Sequence, residues 1–170
     1  MKRLIKQPLA VLAALSLGAC GSIGAPIASD RAKANSDGWT SVVAISKSSL
    51  RSGSSLAATV TVINRTGRTV DVLGCPSDSI FTAQLGNAKI PNRAIISDVL
   101  CRSPLHPGKN VFHFSVAASY DSCGVFGTPV CARNGVQAKL PVGTYQLNVS
   151  WPLTTPSIPK PKTLSVSVTK

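Results

Sequence analysis

The 170-residue sequence predicts an all-β fold, an antiparallel β-sandwich of about seven or eight strands. Three observations predict it. Apolar and polar residues alternate over several short stretches, which is typical of strands with one buried face. The sequence has no Glu, a common surface residue of helices, and no window shows helical spacing of its apolar residues. The 44% of hydrophobic residues is enough to fill a core, which excludes a disordered chain.

Four stretches give the clearest alternation, and each places its apolar side chains on one face. In chain order these faces are Leu56, Ala58, Val60 and Val62; Phe112, Phe114, Val116 and Ala118; Tyr145, Leu147, Val149 and Trp151; and Leu164, Val166 and Val168. Weaker strand patterns cover residues 39–47, 68–73, 79–85 and 94–100. Two sheets with such faces would meet in a core about 10 Å thick.

Turn residues separate the predicted strands. Asn64–Gly67 lies between two of them and suits a hairpin with Gly at a positive φ. His106–Lys109 and Leu140–Gly143 each precede a strand. The motifs N-x-T-G at Asn64–Gly67, L-x-P-G at Leu105–Gly108 and L-P-x-G-x-Y at Leu140–Tyr145 resemble those of bacterial secreted immunoglobulin-like domains. The resemblance implies an immunoglobulin-like sandwich over most of residues 39–170 and implies no activity.

A leader is predicted over residues 1–19. Lys2, Arg3 and Lys6 precede a twelve-residue apolar run that is too short to span a membrane and fits a secretory signal peptide. The run ends in Leu17-Gly18-Ala19-Cys20, which resembles the lipobox of bacterial lipoproteins. The resemblance implies that Cys20 receives a diacylglyceryl group, that the leader is removed, and that the new amino group is acylated. The alternative is an ordinary signal peptide followed by a chance Cys.

The segment after Cys20 predicts a flexible tether over residues 20–38, because it is rich in Gly, Ala and Ser and lacks periodicity. Within it, Arg31 and Lys33 cancel the charges of Asp30 and Asp37. We therefore expect the domain to cover residues 39–170. This domain has thirteen Lys and Arg against four Asp, a net charge of +9.

The cysteine count agrees with lipidation. Five Cys leave one unpaired in an exported protein, and lipid on Cys20 would leave four. Four cysteines allow three pairings, of which we favour Cys75–Cys101 and Cys123–Cys131. A metal or redox site would need closely spaced thiols such as C-x-x-C, and the sequence has none.

The segment Cys123–Cys131 suggests a second role. A short loop closed by a disulfide and carrying Phe126 and Pro129 would be pre-organised to dock on a protein, as in extracellular protease inhibitors. The alternative is a pinned connection between strands. Phe126 is therefore one candidate binding residue, and Arg65 and Arg68, which flank one turn, are two others.

Neither metal nor catalytic chemistry is predicted. The two histidines, His106 and His113, are too few for a zinc site, and copper ligation would also want a Met that the domain lacks. No nucleophile-elbow motif accompanies the many Ser residues. The four Asp of the domain are scattered in sequence: Asp71, Asp78, Asp98 and Asp121. We expect no catalytic residue, no metal and no cofactor.

The positive charge bears on partners. Nucleic acid is the common partner of a basic domain, but the export signal and the lack of aromatic residues among the Lys and Arg argue against it. The expected contacts are the membrane through the N-terminal lipid, and anionic envelope polymers or an envelope protein. The alternative is charge that serves solubility alone. The sequence thus predicts a non-enzymatic lipoprotein of the cell envelope, held outside the plasma membrane or at the outer membrane.

Overall fold

The computed structural model describes residues 30–74, 80–90, 101–124, 128–132, 134–151 and 158–170. All regular secondary structure in these ranges is β, so they contain no helix able to cross a bilayer. The ten strands are β1 (Asp30–Ser36), β2 (Trp39–Ile45), β3 (Ser49–Arg51), β4 (Ser55–Asn64), β5 (Val70–Leu73), β6 (Thr82–Gly86), β7 (Arg102–Leu105), β8 (Gly108–Ala117), β9 (Gly143–Ser150) and β10 (Leu164–Thr169). The prediction of an all-β fold is confirmed.

Two four-stranded sheets form a sandwich. Sheet A has the order β1-β2-β4-β8, and all its neighbouring strands are antiparallel. Sheet B has the order β3-β10-β9-β6, in which only the pair of β3 and β10 is parallel. A third, two-stranded antiparallel sheet joins β5 to β7. The predicted antiparallel β-sandwich is therefore the observed architecture.

The core lies between the two sheets and is built from the predicted apolar faces. Val60 and Val62 of β4 and Val166 of β10 have no exposed surface. Alternate residues of β9, including Leu147 and Val149, are buried in the same cluster. Because successive side chains of a strand point to opposite faces, the alternation in the sequence correctly located these inward residues.

Strand β8 is less buried than its pattern predicts. Phe112, Phe114 and Val116 share the inward face, but only Val116 is fully buried and the two rings are half-buried. The ring of Phe81 packs edge-to-face against Phe112, with centroids 5.0 Å apart. Since β8 is the edge strand of sheet A, its inward side chains have a neighbouring strand on one side only.

Tyr145 fixes the entry into β9. It is 1% exposed, and its hydroxyl donates a hydrogen bond to the carbonyl of Pro141 at 2.9 Å. Burial raises the pKa of the Tyr145 phenol above 10.0, and Tyr120 adds to the rise, while a hydrogen bond with Asn87 opposes it. Because Pro141 lies four residues before Tyr145, this hydrogen bond connects the loop that precedes β9 to a core side chain.

The turn at Asn64–Gly67 is present, but the predicted hairpin is wrong. Gly67 has the expected positive φ of 77°, and the N–H of Thr66 donates to Oδ1 of Asn64 at 2.9 Å. However, Nδ2 of Asn64 also donates to the carbonyl of Leu105 at 3.0 Å. The turn is thereby tied to the end of β7, and β5 pairs with β7 and not with β4.

The tether prediction is wrong from residue 30 onward. Residues 30–36 form β1, which pairs with β2 along its full length, and Ala32 is buried against the core. This segment resembles a linker in sequence because its residues are small and polar. Its backbone pairing with β2 and the burial of Ala32 nevertheless make it part of the folded domain. The domain therefore includes residues 30–38, while residues 1–29 lie outside the described residues.

Three strands were not predicted, namely β1, β3 and β7. They are short or rich in polar residues, so alternation is weak in them. The strand predicted over residues 79–85 is observed as Thr82–Gly86, and residue 79 lies outside the described part of the chain. The strand predicted over residues 94–100 also lies outside it.

Candidate functional site

A cleft of about 360 Å³ opens between the edge strands β6 and β8. Its apolar wall includes Leu85, Ile90 and Phe114. Its polar wall is built on Asp121, whose Oδ2 accepts a hydrogen bond from Nε2 of Gln84 at 3.0 Å. Strands β6 and β8 are the edge strands of the two sheets among the described residues, and the cleft lies between them.

The described lining of this cleft offers hydrogen-bonding groups beside its apolar wall. Among the described lining residues, Asp121 is the only carboxylate and Tyr120 the only phenol. Nε2 of Gln137 donates to the backbone carbonyl of Asp121 at 2.9 Å, which further fixes the segment. This arrangement offers one carboxylate and amides that can donate or accept hydrogen bonds.

The outward side of sheet A forms a second, basic surface, which we call the basic face. It consists of three cross-strand rows in register: Arg31, Ala44, Thr59 and His113; Lys33, Val42, Thr61 and Val111; and Asn35, Thr40, Ile63 and Lys109. No Asp occurs in these rows. A shallow depression of about 680 Å³ lies over this side of the sheet.

The cations of the basic face stand at its borders. Arg31 and Lys33 lie on edge strand β1, and Lys109 lies on the opposite edge strand β8. Nη1 of Arg65, from the turn after β4, donates to Oγ1 of Thr40 at 2.7 Å and so places a fourth cation at one end. Three strand spacings of about 4.8 Å separate β1 from β8, so the face is about 14 Å wide.

Sequence reasoning missed Arg31 and Lys33, because it counted their charges against Asp30 and Asp37. In the structure, strand alternation separates these residues. Arg31 and Lys33 lie on the outward side of β1, whereas Asp30 lies on the other side and Asp37 in the following turn. The signal was present in the alternation of Ala32 and Ala34 with larger polar residues, but Ala is too weakly apolar to reveal it.

Of the three predicted binding residues, the structure describes Arg65 and Arg68. Arg65 joins the basic face, as described above. Arg68 is exposed, and its backbone carbonyl accepts a hydrogen bond from Nδ2 of Asn64 at 2.8 Å. Phe126 lies outside the described residues.

The predicted disulfide between Cys123 and Cys131 is confirmed, with Cα atoms 4.9 Å apart. The N–H of Gly124 also donates to the carbonyl of Pro129 at 2.9 Å, which closes the base of the loop. Cys101 is disulfide-bonded as well, but its predicted partner Cys75 lies outside the described residues, as does Cys20. The N–H of Gly74 bonds to the carbonyl of Cys101 at 2.9 Å, so the chain next to Cys75 passes beside Cys101.

The two histidines each contact a different threonine side chain. Nδ1 of His113 is 3.2 Å from Oγ1 of Thr59, and Nδ1 of His106 is 3.4 Å from Oγ1 of Thr69. Among the described residues, no three His, Cys, Asp or Glu side chains are close enough to hold a metal ion. Of the four Asp of the predicted domain, Asp71 is exposed on β5 and Asp121 lies in the cleft; the other two lie outside the described ranges.

The chain was compared with models of known protein families and with curated proteins, and neither comparison finds a match.

Proposed function

We propose that this chain is a lipid-anchored protein of the bacterial cell envelope whose β-sandwich acts as a non-enzymatic binding or structural module. One observation carries the proposal: a basic start and a short apolar run lead directly into Leu17-Gly18-Ala19-Cys20. Two or more acyl chains at Cys20 would give stable attachment, since each buried CH₂ contributes about 0.8 kcal/mol. The sandwich would then stand in the aqueous space beside the bilayer.

The domain is proposed to be immunoglobulin-like. In that fold, strands A, B and E share one sheet, and strands C, F and G share the other. Assigning β2, β4 and β8 to the first set and β6, β9 and β10 to the second reproduces this division. The hydrogen bond from the Tyr145 hydroxyl to the Pro141 carbonyl adds support, because it matches the tyrosine corner at the start of strand F.

The non-enzymatic part of the proposal is supported by the chemistry of the cleft between β6 and β8. It presents one carboxylate, held by an amide, and no nucleophile–base pair is assembled among its described lining residues. A catalytic constellation would need a nucleophile with an oriented base.

Mass spectrometry of the mature protein from membranes tests the anchor. We expect a chain that begins at Cys20 and carries diacylglyceryl and acyl groups, and we expect Cys20→Ser to lose the modification and membrane retention. Ser22→Ala, two residues further on, leaves the motif intact and should behave as the wild type. An unmodified thiol at Cys20 or an uncut leader would contradict the proposal.

A second candidate function is docking on an envelope protein, as an inhibitor or adaptor, through the Cys123–Cys131 loop. One observation favours it: Val130, within the disulfide-closed loop, is 82% exposed. An exposed apolar side chain between two bonded cysteines suits a protein contact, because the disulfide lowers the ordering cost of binding. Val130→Asp should abolish capture of the partner, whereas Val142→Asp, at a 58% exposed position elsewhere, should not. Equal capture by both variants would remove this candidate.

A further inference from the structure

Positive charge is divided unequally between the two outer faces of the sandwich. The basic face has Arg31, Lys33 and Lys109 in its rows, and Arg65 bonded at one end. The outward side of sheet B carries a single cation, Arg51, and otherwise consists of uncharged residues: Ser49, Thr82, Gln84, Thr144, Gln146, Asn148, Ser150, Ser165, Ser167 and Thr169. A charge that served solubility alone would have no reason to favour one sheet.

The layout of the basic face suits a broad anionic surface. Its cations lie on two opposite edges and one end, so they cover two dimensions and do not follow a line. Long Arg and Lys side chains surround short central ones, such as Ala44, Thr59 and Thr61, and no carboxylate interrupts them in the three rows. A plane of anionic groups can therefore meet all four cations together.

The course of the chain brings this face to the membrane. Strand β1, one border of the basic face, is the first described strand after Cys20. The ten residue steps from Cys20 to Asp30 can extend to about 35 Å at most, and a flexible chain of that length averages about 17 Å. A lipid at Cys20 would hold the basic edge of β1 within this distance of the headgroups.

We propose that the basic face docks on the anionic lipid headgroups of the bilayer that carries the anchor. This inference rests on the proposed lipid anchor and adds an orientation to it: the outward side of sheet A lies against the membrane, and the outward side of sheet B faces away from it. Each Lys or Arg beside an anionic leaflet favours the docked state about fivefold, so four together favour it several hundredfold.

The rate of lysine acetylation in the mature lipidated protein, bound to nanodiscs, tests the proposal without any substitution in the sequence. On discs with anionic lipid, acetylation of Lys33 and Lys109 should slow at least fivefold relative to zwitterionic discs. Lys89 and Lys170, which follow strands of sheet B, are the internal controls and should react equally on both. The protection should vanish at about 1 M salt, where the Debye length is about 3 Å.

A matched pair of variants sharpens the test. Arg31→Gln removes one cation of the basic face, and Arg51→Gln removes the one on the opposite face. Protection of Lys33 and Lys109 should fall up to about fivefold in the first variant and stay unchanged in the second. Equal effects would show a response to net charge and would overturn the assignment to this face.

Two further outcomes would overturn the proposal. Unchanged acetylation of Lys33 and Lys109 on anionic discs would leave this charge without a membrane role. Protection by a soluble polyanion but not by anionic discs would assign the face to an envelope polymer. The same spectra report the modification of Cys20, so failure of the anchor and failure of the face to dock are read separately.

Discussion

Replacing Tyr145 with Phe removes one oxygen atom from the core and leaves the ring in place. The oxygen belongs to the hydroxyl that donates to the carbonyl of Pro141 at 2.9 Å, across the loop that leads into β9. Because Tyr145 is 1% exposed, the ring itself keeps its packing in the variant. The substitution therefore isolates the contribution of the hydroxyl's hydrogen bonds, the one to Pro141 and the one with Asn87, to the free energy of unfolding.

The expected loss at neutral pH is about 1–2 kcal/mol, because the hydroxyl's bonds to Pro141 and with Asn87 are lost together. A net intramolecular hydrogen bond contributes about 0.5–1.5 kcal/mol. The larger penalty for a stranded buried acceptor does not apply, because Pro141 is exposed and its carbonyl can bond to water. Tyr145→Ala, which also removes the ring, should cost about 3–5 kcal/mol, as truncation of a core aromatic does.

The pH dependence follows from the raised pKa of Tyr145. The unfolded chain releases the phenol proton near 10.0, while the folded protein retains it to higher pH. Above about pH 10 the unfolded state therefore binds fewer protons, and the stability contributed by this group falls as the pH rises. Below that pH the contribution is constant. Tyr145→Phe should lack this fall.

Urea unfolding followed by the fluorescence of Trp39 and Trp151 measures both effects, at pH 7 and at steps up to pH 11. Tyr120→Phe, at a half-buried position with no described hydrogen bond from its hydroxyl, is the control and should lose less stability. A loss below about 0.3 or above about 3 kcal/mol for Tyr145→Phe would refute the reasoning from the net value of the hydroxyl's hydrogen bonds. So would a difference between wild type and Tyr145→Phe that does not change with pH.

Three further predictions concern stability. Phe114→Ala should cost about 1–3 kcal/mol, below the 3–5 kcal/mol of an enclosed ring, because the ring is half-buried on an edge strand; a loss above about 4 kcal/mol in chemical denaturation would contradict this. Gly67→Ala and Gly74→Ala each place a side chain at a residue with positive φ, which costs about 1–2 kcal/mol of stability. Gly74→Ala should lower the melting temperature more, because its Cβ would lie 2.9 Å from the Cα of Ile80, whereas a Cβ at Gly67 has nothing within 4 Å. Equal shifts in melting temperature would refute the steric part of this prediction. Replacing Cys123 and Cys131 by Ala should lower the free energy of unfolding by up to about 2.5 kcal/mol, because the unfolded chain regains the entropy of the open loop. An unchanged melting temperature in a calorimetric scan would show that this disulfide does not stabilise the domain.

The sequence predicts the central strands well for a simple physical reason. Strands such as β4 and β9 have neighbours on both sides and bury one face completely, so their inward residues must be apolar. Val60 and Leu147 therefore stand in a regular alternation that can be read without knowing the partner strand. The same reading located the inward side of β8, but it could not tell that an edge position would leave Phe114 only partly buried.

Strand partners were harder to predict than strand faces. The residues Asn64–Gly67 specify a turn through local geometry, and that geometry is present. The strand that follows, β5, pairs with β7, whose last residue Leu105 is 41 residues from Asn64 and accepts its side-chain hydrogen bond. A contact at that separation leaves no mark in the residues of the turn itself, so the hairpin was a reasonable but wrong expectation.

The basic face shows why net charge along a sequence differs from charge on a surface. Over residues 30–38, the charges of two cations and two carboxylates sum to zero, so the sequence alone indicates no net charge for this segment. Once the segment is a strand, however, parity decides which charges share a face: Arg31 and Lys33 are two apart and point the same way, while Asp30 has the opposite parity. Assigning residues 30–36 to a strand therefore adds one strand to the fold and two cations to one face of the sheet. A neutral linker becomes the cationic border of a sheet, and the unequal charge of the two faces follows from that one strand.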